Sequence, residues 1–271
     1  MGDIRTGPPQ LRPGRALAHT TGASGSGSPH RSDSRPPQTP RGGRRSDLIG
    51  RPGTTPPVPG RPAFLTLLLG VPALLFALIT WQVVEDGPLL RVDERISAAL
   101  RHPDRIGGGL SDLGSVQVAV PVLMIALAYV TSRHRRMGTD RWWLPAAAAA
   151  LLMALVPAIV VPLKIWTARS GTPAVPPSTG YFPSGHTATA AIAYGCATLL
   201  LLPLIQTLRG RRVLVLLYAL LVLGVSYGLV RRGYHWPLDV VASWCLALLL
   251  LQLLVKVVRR YGLKPAGDEN T

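Results

Sequence analysis

The chain has 271 residues, of which 48% are hydrophobic and only 15% are charged, too few charged side chains to cover a water-soluble globule of this size. Its 29 Lys and Arg against 13 Asp and Glu give a formal net charge of +16, a balance that suits nucleic acid, anionic lipid or an acidic substrate as a ligand. Cys196 and Cys245 each lie inside an apolar run, which argues against a disulfide framework or a cysteine metal site.

The first 62 residues differ in composition from the rest of the chain. They hold 12 of the 26 prolines and contain no Phe, Trp or Tyr. Such a segment cannot bury enough apolar surface to offset the entropy lost on ordering, so residues 1–62 are predicted to be a disordered, basic cytoplasmic tail. Because the tail lacks aromatic side chains for base stacking, we expect it to rest on anionic lipid and not to bind nucleic acid.

Six apolar runs follow, and most approach the roughly 20 residues that an α-helix needs to cross a bilayer. They cover residues 63–84, 116–131, 144–163, 186–205, 213–230 and 238–257. The predicted fold is therefore an all-α bundle of six transmembrane helices over residues 63–260, followed by a short cytoplasmic tail at 261–271. Between the first two runs, residues 89–100 are predicted to form a short interfacial helix.

Basic residues in short connections favour the cytoplasmic side of a membrane. Arginines are concentrated between runs two and three and between runs four and five, and further basic residues follow run six. These segments and both termini are therefore predicted to be cytoplasmic, in a multi-pass protein of the plasma membrane. The loops at 164–184 and 231–237 are then predicted to be extracytoplasmic.

Two polar clusters lie in the first of these outer loops. Lys164 and Arg169 leave the third run, where they are either interfacial anchors or ligands of an anion. Ser184, Gly185 and His186 begin the fourth run, with Ser184 placed to cap the helix and Gly185 allowing close approach of a ligand. A helix start with free N–H groups is a ready anion site.

The third cluster lies in the second outer loop. Pro237 suits the first position of a helix, which leaves His235 just outside it and Asp239 in its first turn. The aspartate can then bind one ring nitrogen of the histidine and leave the other free. Two imidazoles, a carboxylate and basic groups on one side of a membrane are the set that phosphoryl transfer requires. Two His and one Asp form only a thin ligand set for a metal, and we expect none.

These residues resemble the type 2 phosphatidic acid phosphatase family of membrane lipid phosphatases, whose fold is related to that of vanadium haloperoxidases. Pro183-Ser184-Gly185-His186 matches the second of three family signatures, and His235 with Asp239 matches the end of the third. The resemblance covers about residues 63–260. It implies that His235 is the nucleophile, that Asp239 orients it and that His186 protonates the leaving group.

The same resemblance implies that Ser184 and the Gly185 N–H hold phosphate oxygens, that Lys164 supplies positive charge and that no metal or other cofactor is needed. Two arginines of the family are missing. The first signature places Arg-Pro where this chain has Gly171-Thr172, and the third places Ser-Arg where it has Gly228-Leu229.

Three arginines lie close to the missing positions in the sequence. Arg169 is two residues before Gly171, and Arg232 is three residues beyond Leu229, on the same face if the helix continues that far. We hypothesise that Arg169 and Arg232 replace the missing arginines in binding the substrate phosphate, with Arg231 as a weaker candidate.

The function that the sequence favours is hydrolysis of a lipid phosphate or diphosphate at the outer face of the membrane through a phosphohistidine intermediate. Undecaprenyl pyrophosphate, phosphatidic acid and phosphatidylglycerol phosphate are the substrates that the resemblance implies. The alternative is a family member that binds anionic lipid or phosphate without turnover, because the loss of one preorganised charge contact already weakens catalysis strongly. A transporter is disfavoured, since no charged residue interrupts the apolar runs near the middle of the membrane.

Overall fold

The computed structural model of the protein describes residues 61–261, with side chains from Leu67 onward. In this range the chain forms eight α-helices and no β-strand, apart from one isolated bridge between Ser170 and Thr179. The predicted tail at 1–62 lies outside the described residues except for its last two positions, and the C-terminal segment at 261–271 does so after Tyr261.

The described helices are, in chain order, α1 Arg61–Val84, α2 Leu89–Leu100, α3 Arg105–Asp112, α4 Val116–Arg136, α5 Leu144–Thr167, α6 Gly185–Leu201, α7 Leu208–Arg232 and α8 Pro237–Tyr261. Six of them, all except α2 and α3, are long and apolar enough to cross a membrane. The predicted all-α architecture with six spans is therefore confirmed, and α2 has the bounds that the sequence indicated. Both α4 and α5 continue several residues beyond the predicted runs.

Local signals in the sequence set the ends of the helices. The Thr207 hydroxyl caps α7 by accepting a hydrogen bond from the Gly210 N–H. At the other end of α7, Gly233 takes a left-handed conformation with φ of +72°, and its N–H donates to the carbonyl groups of the last turn. Pro237 then begins α8, where its missing N–H costs no helical hydrogen bond.

Helix α6 lies at the centre of the bundle, in contact with α4, α5, α7 and α8. Most of its residues are buried, and many are Ala, Gly or Thr, which let neighbouring helices approach closely. At Gly195 an added Cβ would lie 2.5 Å from a methyl group of Leu251 in α8. Because α6 is fixed on several sides, its N-terminus is a rigid place for a functional group.

The sequence analysis did not predict helix α3, which packs against α7. A Cβ at Gly228 of α7 would lie 2.6 Å from the Gly107 carbonyl oxygen and 2.7 Å from the Ser111 nitrogen, so only glycine allows the two backbones to meet. Asp104 caps α3 through the Gly107 N–H and also pairs with Arg231 at 2.7 Å. The hydrogen bond from Arg231 is the main cause of a lowered pKa of the Asp104 carboxyl.

Candidate active site

The three polar clusters predicted from the sequence meet at one end of the bundle. The Thr172 hydroxyl donates to the Gly233 carbonyl, and the Trp236 indole donates to the Ser170 carbonyl at 3.0 Å. These bonds join the loop between α5 and α6 to the loop between α7 and α8. In addition, the Ser184 N–H donates to the Asp239 carbonyl at 3.1 Å, which joins the start of α6 to the first turn of α8.

His186 and His235 line one cavity, although they come from different helices. The cavity has a volume of about 580 Å³, and Lys164 and Gly185 lie at the same polar end as the two histidines. The rest of its wall is mainly apolar and is formed by side chains of α4 and α5. A cluster of polar groups thus opens directly into an apolar space between helices that are long and apolar enough to span a membrane.

The two histidines also line a second, smaller cavity of about 250 Å³. Its wall is more polar and includes the side chains of Ser111 and Asp112 from α3, together with two tyrosines, Tyr181 and Tyr234. The histidine pair therefore lies between an apolar space on one side and a polar space on the other.

The start of α6 has the geometry of an anion site. The Ser184 side chain is fully buried and accepts a hydrogen bond from the Thr187 N–H at 3.3 Å, so it acts as the helix cap and does not line either cavity. The preceding N–H groups, those of Gly185 and His186, have no acceptor within the helix. A Cβ added at Gly185 would have no heavy atom within 4 Å, so the backbone is open to a ligand at this point.

Lys164, in the last turn of α5, supplies positive charge to the cavity. Its Nζ donates to the Gly180 carbonyl at 2.8 Å, which fixes the side chain without neutralising it. An ammonium group has three donors, so two remain for a ligand.

His235 is held by its neighbour in α8. Its Nδ1 lies 3.1 Å from Asp239 Oδ2, and the same carboxylate oxygen accepts the Trp236 N–H at 3.1 Å. The Tyr181 ring packs edge-on against the imidazole at 5.8 Å between ring centroids. When Nδ1 carries the proton that it shares with Asp239, Nε2 has a free lone pair, the state that a nucleophile requires.

Arg169 does not line the cavity that contains the histidines. Its guanidinium group is buried and binds two carboxylates, Asp239 Oδ1 at 2.5 Å and Asp93 Oδ2 at 2.6 Å. Asp93 comes from α2, and its other oxygen accepts the Leu238 N–H at 2.8 Å. Burial raises the pKa of Asp93 above its ordinary value, and Arg169 opposes that rise, so the guanidinium favours the ionised carboxyl.

Arg232 and Arg231 also do not line either cavity. Arg232 donates to the Tyr234 hydroxyl at 2.8 Å and to the Asp104 carbonyl at 3.3 Å, and Arg231 pairs with the Asp104 carboxylate. Among the described side chains, those that line the two cavities include no arginine. The structure therefore brings His186, His235, Asp239, Gly185 and Lys164 to one place, while Ser184, Arg169 and Arg232 have contacts elsewhere.

The positions where the resembled family has its arginines are filled by packing. A Cβ at Gly171 would lie 2.6 Å from the Tyr181 ring, which itself packs on His235. Leu229 is buried to 1% exposure and forms part of the wall of the smaller cavity, beside the close contact of α3 at Gly228. An arginine at 171 or 229, and even a serine at 228, would displace these neighbours.

Two acidic residues of the site had not been anticipated from the sequence. Asp112 ends α3, a helix that the glycine-rich sequence did not predict, and it lines the smaller cavity. Asp93 lies four residues before Ser97, and both are buried on one face of α2. An acid on an otherwise interfacial helix is a weak signal on its own. Among residues 61–261, no group of three or more His, Cys, Asp or Glu is placed to hold a metal ion.

Comparison with known proteins identifies the architecture. The model of the PAP2 superfamily matches residues 145–262, which include both histidines and Asp239. A crystal structure described as that of the first transmembrane PAP2 type phosphatidylglycerolphosphate phosphatase, from Bacillus subtilis, superposes with a TM-score of 0.63. The two chains are 22% identical, and the similarity covers 72% of this chain and 98% of the other, so it shows a shared fold. No curated protein matches this sequence significantly.

Proposed function

The chain belongs to the PAP2 superfamily and is a multi-pass membrane protein with the fold of a lipid phosphatase, and from this premise we propose that it hydrolyses a lipid phosphate at the outer membrane face. The observation that carries this proposal is the cavity shared by His186 and His235. Its polar end holds groups suited to a phosphate, and its apolar wall suits the chain of a lipid.

The proposed reaction has two steps. First, His235 Nε2 attacks the phosphorus atom, the bond between phosphorus and the leaving oxygen breaks, and His186 gives that oxygen a proton. The product of this step is a phosphohistidine and a free lipid alcohol or lipid monophosphate. A water molecule then attacks the phosphorus, gives its proton to His186 and releases inorganic phosphate, which restores His235.

Three features of the site support these roles. Asp239 holds Nδ1 of His235 and can stabilise the positive charge that develops on the ring. Lys164 and the N–H groups at the start of α6 provide fixed positive charge for the phosphate oxygens. Because these groups can balance the charge of a phosphate, we propose that hydrolysis does not require a metal ion.

The apolar wall supports a substrate with a long chain. Along α5 the lining residues extend from Lys164 to Ala150, which is about 21 Å of helix at 1.5 Å per residue. This length is a large part of the roughly 30 Å hydrocarbon core. A headgroup at the interface and a chain between α4 and α5 would fill the cavity together.

We propose undecaprenyl pyrophosphate, phosphatidic acid and phosphatidylglycerol phosphate as the substrates to test first. The last corresponds to the activity given for the similar Bacillus subtilis protein. The arginines near the opposite end of the bundle support an extracytoplasmic site, because basic connections favour the cytoplasm. Accessibility of a cysteine introduced at exposed His102 to an impermeant thiol reagent, in intact cells, tests this orientation.

The test of the function is phosphate release from these three lipids in detergent, with and without a chelator. We expect release from at least one lipid that the chelator does not reduce, and loss of that release in His235→Ala. His102→Ala is a matched control, because His102 is an exposed histidine in the connection between α2 and α3 at the same end of the bundle. Activity that survives in His235→Ala would contradict the mechanism, and activity lost with the chelator would contradict metal independence.

Binding without turnover is the second candidate function, and one observation favours it. No described arginine lines the cavity, and Lys164 is the one lysine among its described lining residues. If the purified protein binds labelled lipid phosphate, and neither releases phosphate nor becomes phosphorylated, this second function replaces the first. Release of phosphate would exclude binding without turnover.

A further inference from the structure

Behind His235, away from the cavity, the site is a chain of contacts between charged groups. His235 Nδ1 contacts Asp239, the other oxygen of Asp239 binds Arg169, and the other end of the guanidinium group binds Asp93. Asp93 completes the chain by accepting the Leu238 N–H at 2.8 Å. The four side chains connect helix α2, the loop after α5 and the start of α8.

All three charged members behind the histidine are buried. The exposed fractions are 1% for Asp93, 8% for Arg169 and 0% for Asp239. The Trp236 ring lies 5.6 Å from the guanidinium carbon of Arg169 and helps to cover it. Charges in such surroundings are weakly screened, so each one affects its neighbours strongly.

The second carboxylate changes the net charge of this group. Arg169 alone would neutralise Asp239, and the pair would then offer His235 little negative charge. With Asp93 included, two carboxylates and one guanidinium give a net charge of −1. That charge favours a positively charged imidazole, the form that develops as His235 attacks phosphorus.

From this geometry we infer that Asp93 and Arg169 are positioning residues of the nucleophile, which act through Asp239 to fix its orientation and to set the negative charge that His235 experiences. The inference rests on the proposed function, because it assigns His235 as the nucleophile. Asp93 lies outside residues 145–262, the segment that matches the PAP2 superfamily. It also gives α2 a function beyond contact with the membrane surface.

Arg169 was expected from the sequence to bind the substrate phosphate. In the structure its guanidinium group is already paired with two carboxylates, and it does not line the cavity that contains the histidines. A positioning function is consistent with both observations.

The test uses the acidic limb of the pH profile of kcat/KM, which reports the protonation of His235 in the free enzyme if His235 is the nucleophile. Asp93→Asn keeps an oxygen acceptor for the Leu238 N–H and removes one negative charge, so the net charge behind His235 becomes zero. The acidic limb should then move to lower pH by about 0.5 to 1 unit, and kcat should fall. Arg169→Gln removes one positive charge and should move the limb to higher pH, by less than a full unit of charge would give, because Asp93 takes up a proton more readily without its guanidinium partner.

The double variant Asp93→Asn/Arg169→Gln decides between charge and a merely structural function. Its net charge returns to −1, so the acidic limb should return close to the wild-type position even if the amount of folded protein falls. If the two residues only held the fold together, the limb would stay fixed in all three variants while the activity fell with the folded fraction. That result would overturn the inference.

Other charged and titratable groups also face His235, and they are the same in all of these variants. They come from α3, α5, α6, the loop before α6 and the loop before α8, and are Asp112, Lys164, His186, Tyr181 and Tyr234. Differences between the profiles therefore report the charge behind His235. Full activity in His235→Ala would instead contradict the proposed function. Failure of the proposed function can therefore be distinguished from failure of the inference about Asp93 and Arg169.

Discussion

The two sides of His235 differ in how their polar groups are used. Behind the ring, Asp239, Arg169 and Asp93 are buried and bind one another. On the cavity side, Lys164 and the start of α6 leave donors available, and the surrounding wall is mainly apolar. The buried, paired groups behind the ring are suited to hold His235 in a fixed position. The available donors on the cavity side are suited to bind a ligand that enters and leaves. Substitutions on the two sides should therefore have different signatures.

The largest effect is expected behind the ring, in Asp239→Asn. An amide leaves Arg169 without one of its two charged partners and can hold His235 in the wrong tautomer. We expect kcat to fall by about 10³ to 10⁴-fold with a smaller change in KM. Steady-state kinetics on the best lipid substrate checks this, with Ser115→Ala as a control because the Ser115 side chain makes no capping hydrogen bond. A rise in KM with unchanged kcat would contradict the function assigned to Asp239, which is to hold and orient His235.

The next largest effect is expected on the cavity side, in Lys164→Ala. The substitution removes a fixed positive charge from the proposed phosphate site, and kcat/KM should fall by about 10² to 10³-fold. Lys256→Ala is the matched control, because Lys256 is exposed near the opposite end of α8. Unlike the substitutions at Asp93 and Arg169, Lys164→Ala is expected to weaken binding of inorganic phosphate, measured as competitive inhibition. If inorganic phosphate inhibited wild type and Lys164→Ala equally, a contact between Lys164 and the phosphate would be contradicted.

Gly185→Ala should have a smaller effect that is confined to the ligand. The new Cβ meets no heavy atom within 4 Å in the folded protein, so the melting temperature should hardly change. In the proposed complex the methyl group would occupy space beside the phosphate, and we expect KM to rise about tenfold, a cost of roughly 1.4 kcal/mol. Gly109→Ala is the matched control, because a Cβ at Gly109 also has no heavy atom within 4 Å. Gly138→Ala would not serve, since Gly138 has a φ of +65°, which strains any other residue.

The apolar wall can be tested with Ala154→Trp, which narrows the cavity along α5. We expect kcat/KM to fall about fivefold or more for a long-chain lipid phosphate and to change little for a short-chain analogue. Kinetics with matched chain lengths of one headgroup measures the difference. Equal losses for both lengths would mean that the lipid chain does not occupy this space.

The smallest effect is expected at Asp104, outside both cavities. Asp104→Asn keeps an oxygen to cap α3 and removes the ion pair with half-buried Arg231, which lines neither cavity, so phosphate release should stay within about twofold of wild type. The lowered pKa of Asp104 means that its stabilisation is present above the ordinary value of 3.8 and is lost as the pH falls through the lower value in the folded protein. The difference in melting temperature between wild type and variant should therefore be constant from pH 5 to 7 and should decrease only as the pH falls below 3.8, as circular dichroism can show.

Much of the fold could be predicted because membrane spans are encoded locally. The apolar runs gave all six spanning helices, and α2 was found at its observed bounds. Helix α3 was missed because its sequence contains three consecutive glycines, and its stability comes from packing against α7 at Gly228. Such packing is visible only when both helices are in place.

The candidate site could be predicted in part for a similar reason. His186, His235 and Asp239 stand in short motifs whose spacing has a direct geometric meaning, and the structure brings them together. The position of Arg169 depends on Asp93, which is 76 residues away in the sequence, so its partners could not be inferred from nearby residues. Proximity to Gly171 in the sequence therefore did not indicate where its guanidinium group lies.

The central claim is that His235 accepts the phosphate during turnover, and the most direct measurement is to trap that intermediate. The protein is mixed with a lipid carrying a ³²P-labelled terminal phosphate, quenched in alkali within the first turnover and analysed by peptide mapping. We predict label on the peptide that contains His235, stable in alkali, lost in acid and absent from His235→Asn. Turnover without any labelled protein, or label that persists in His235→Asn, would contradict the account.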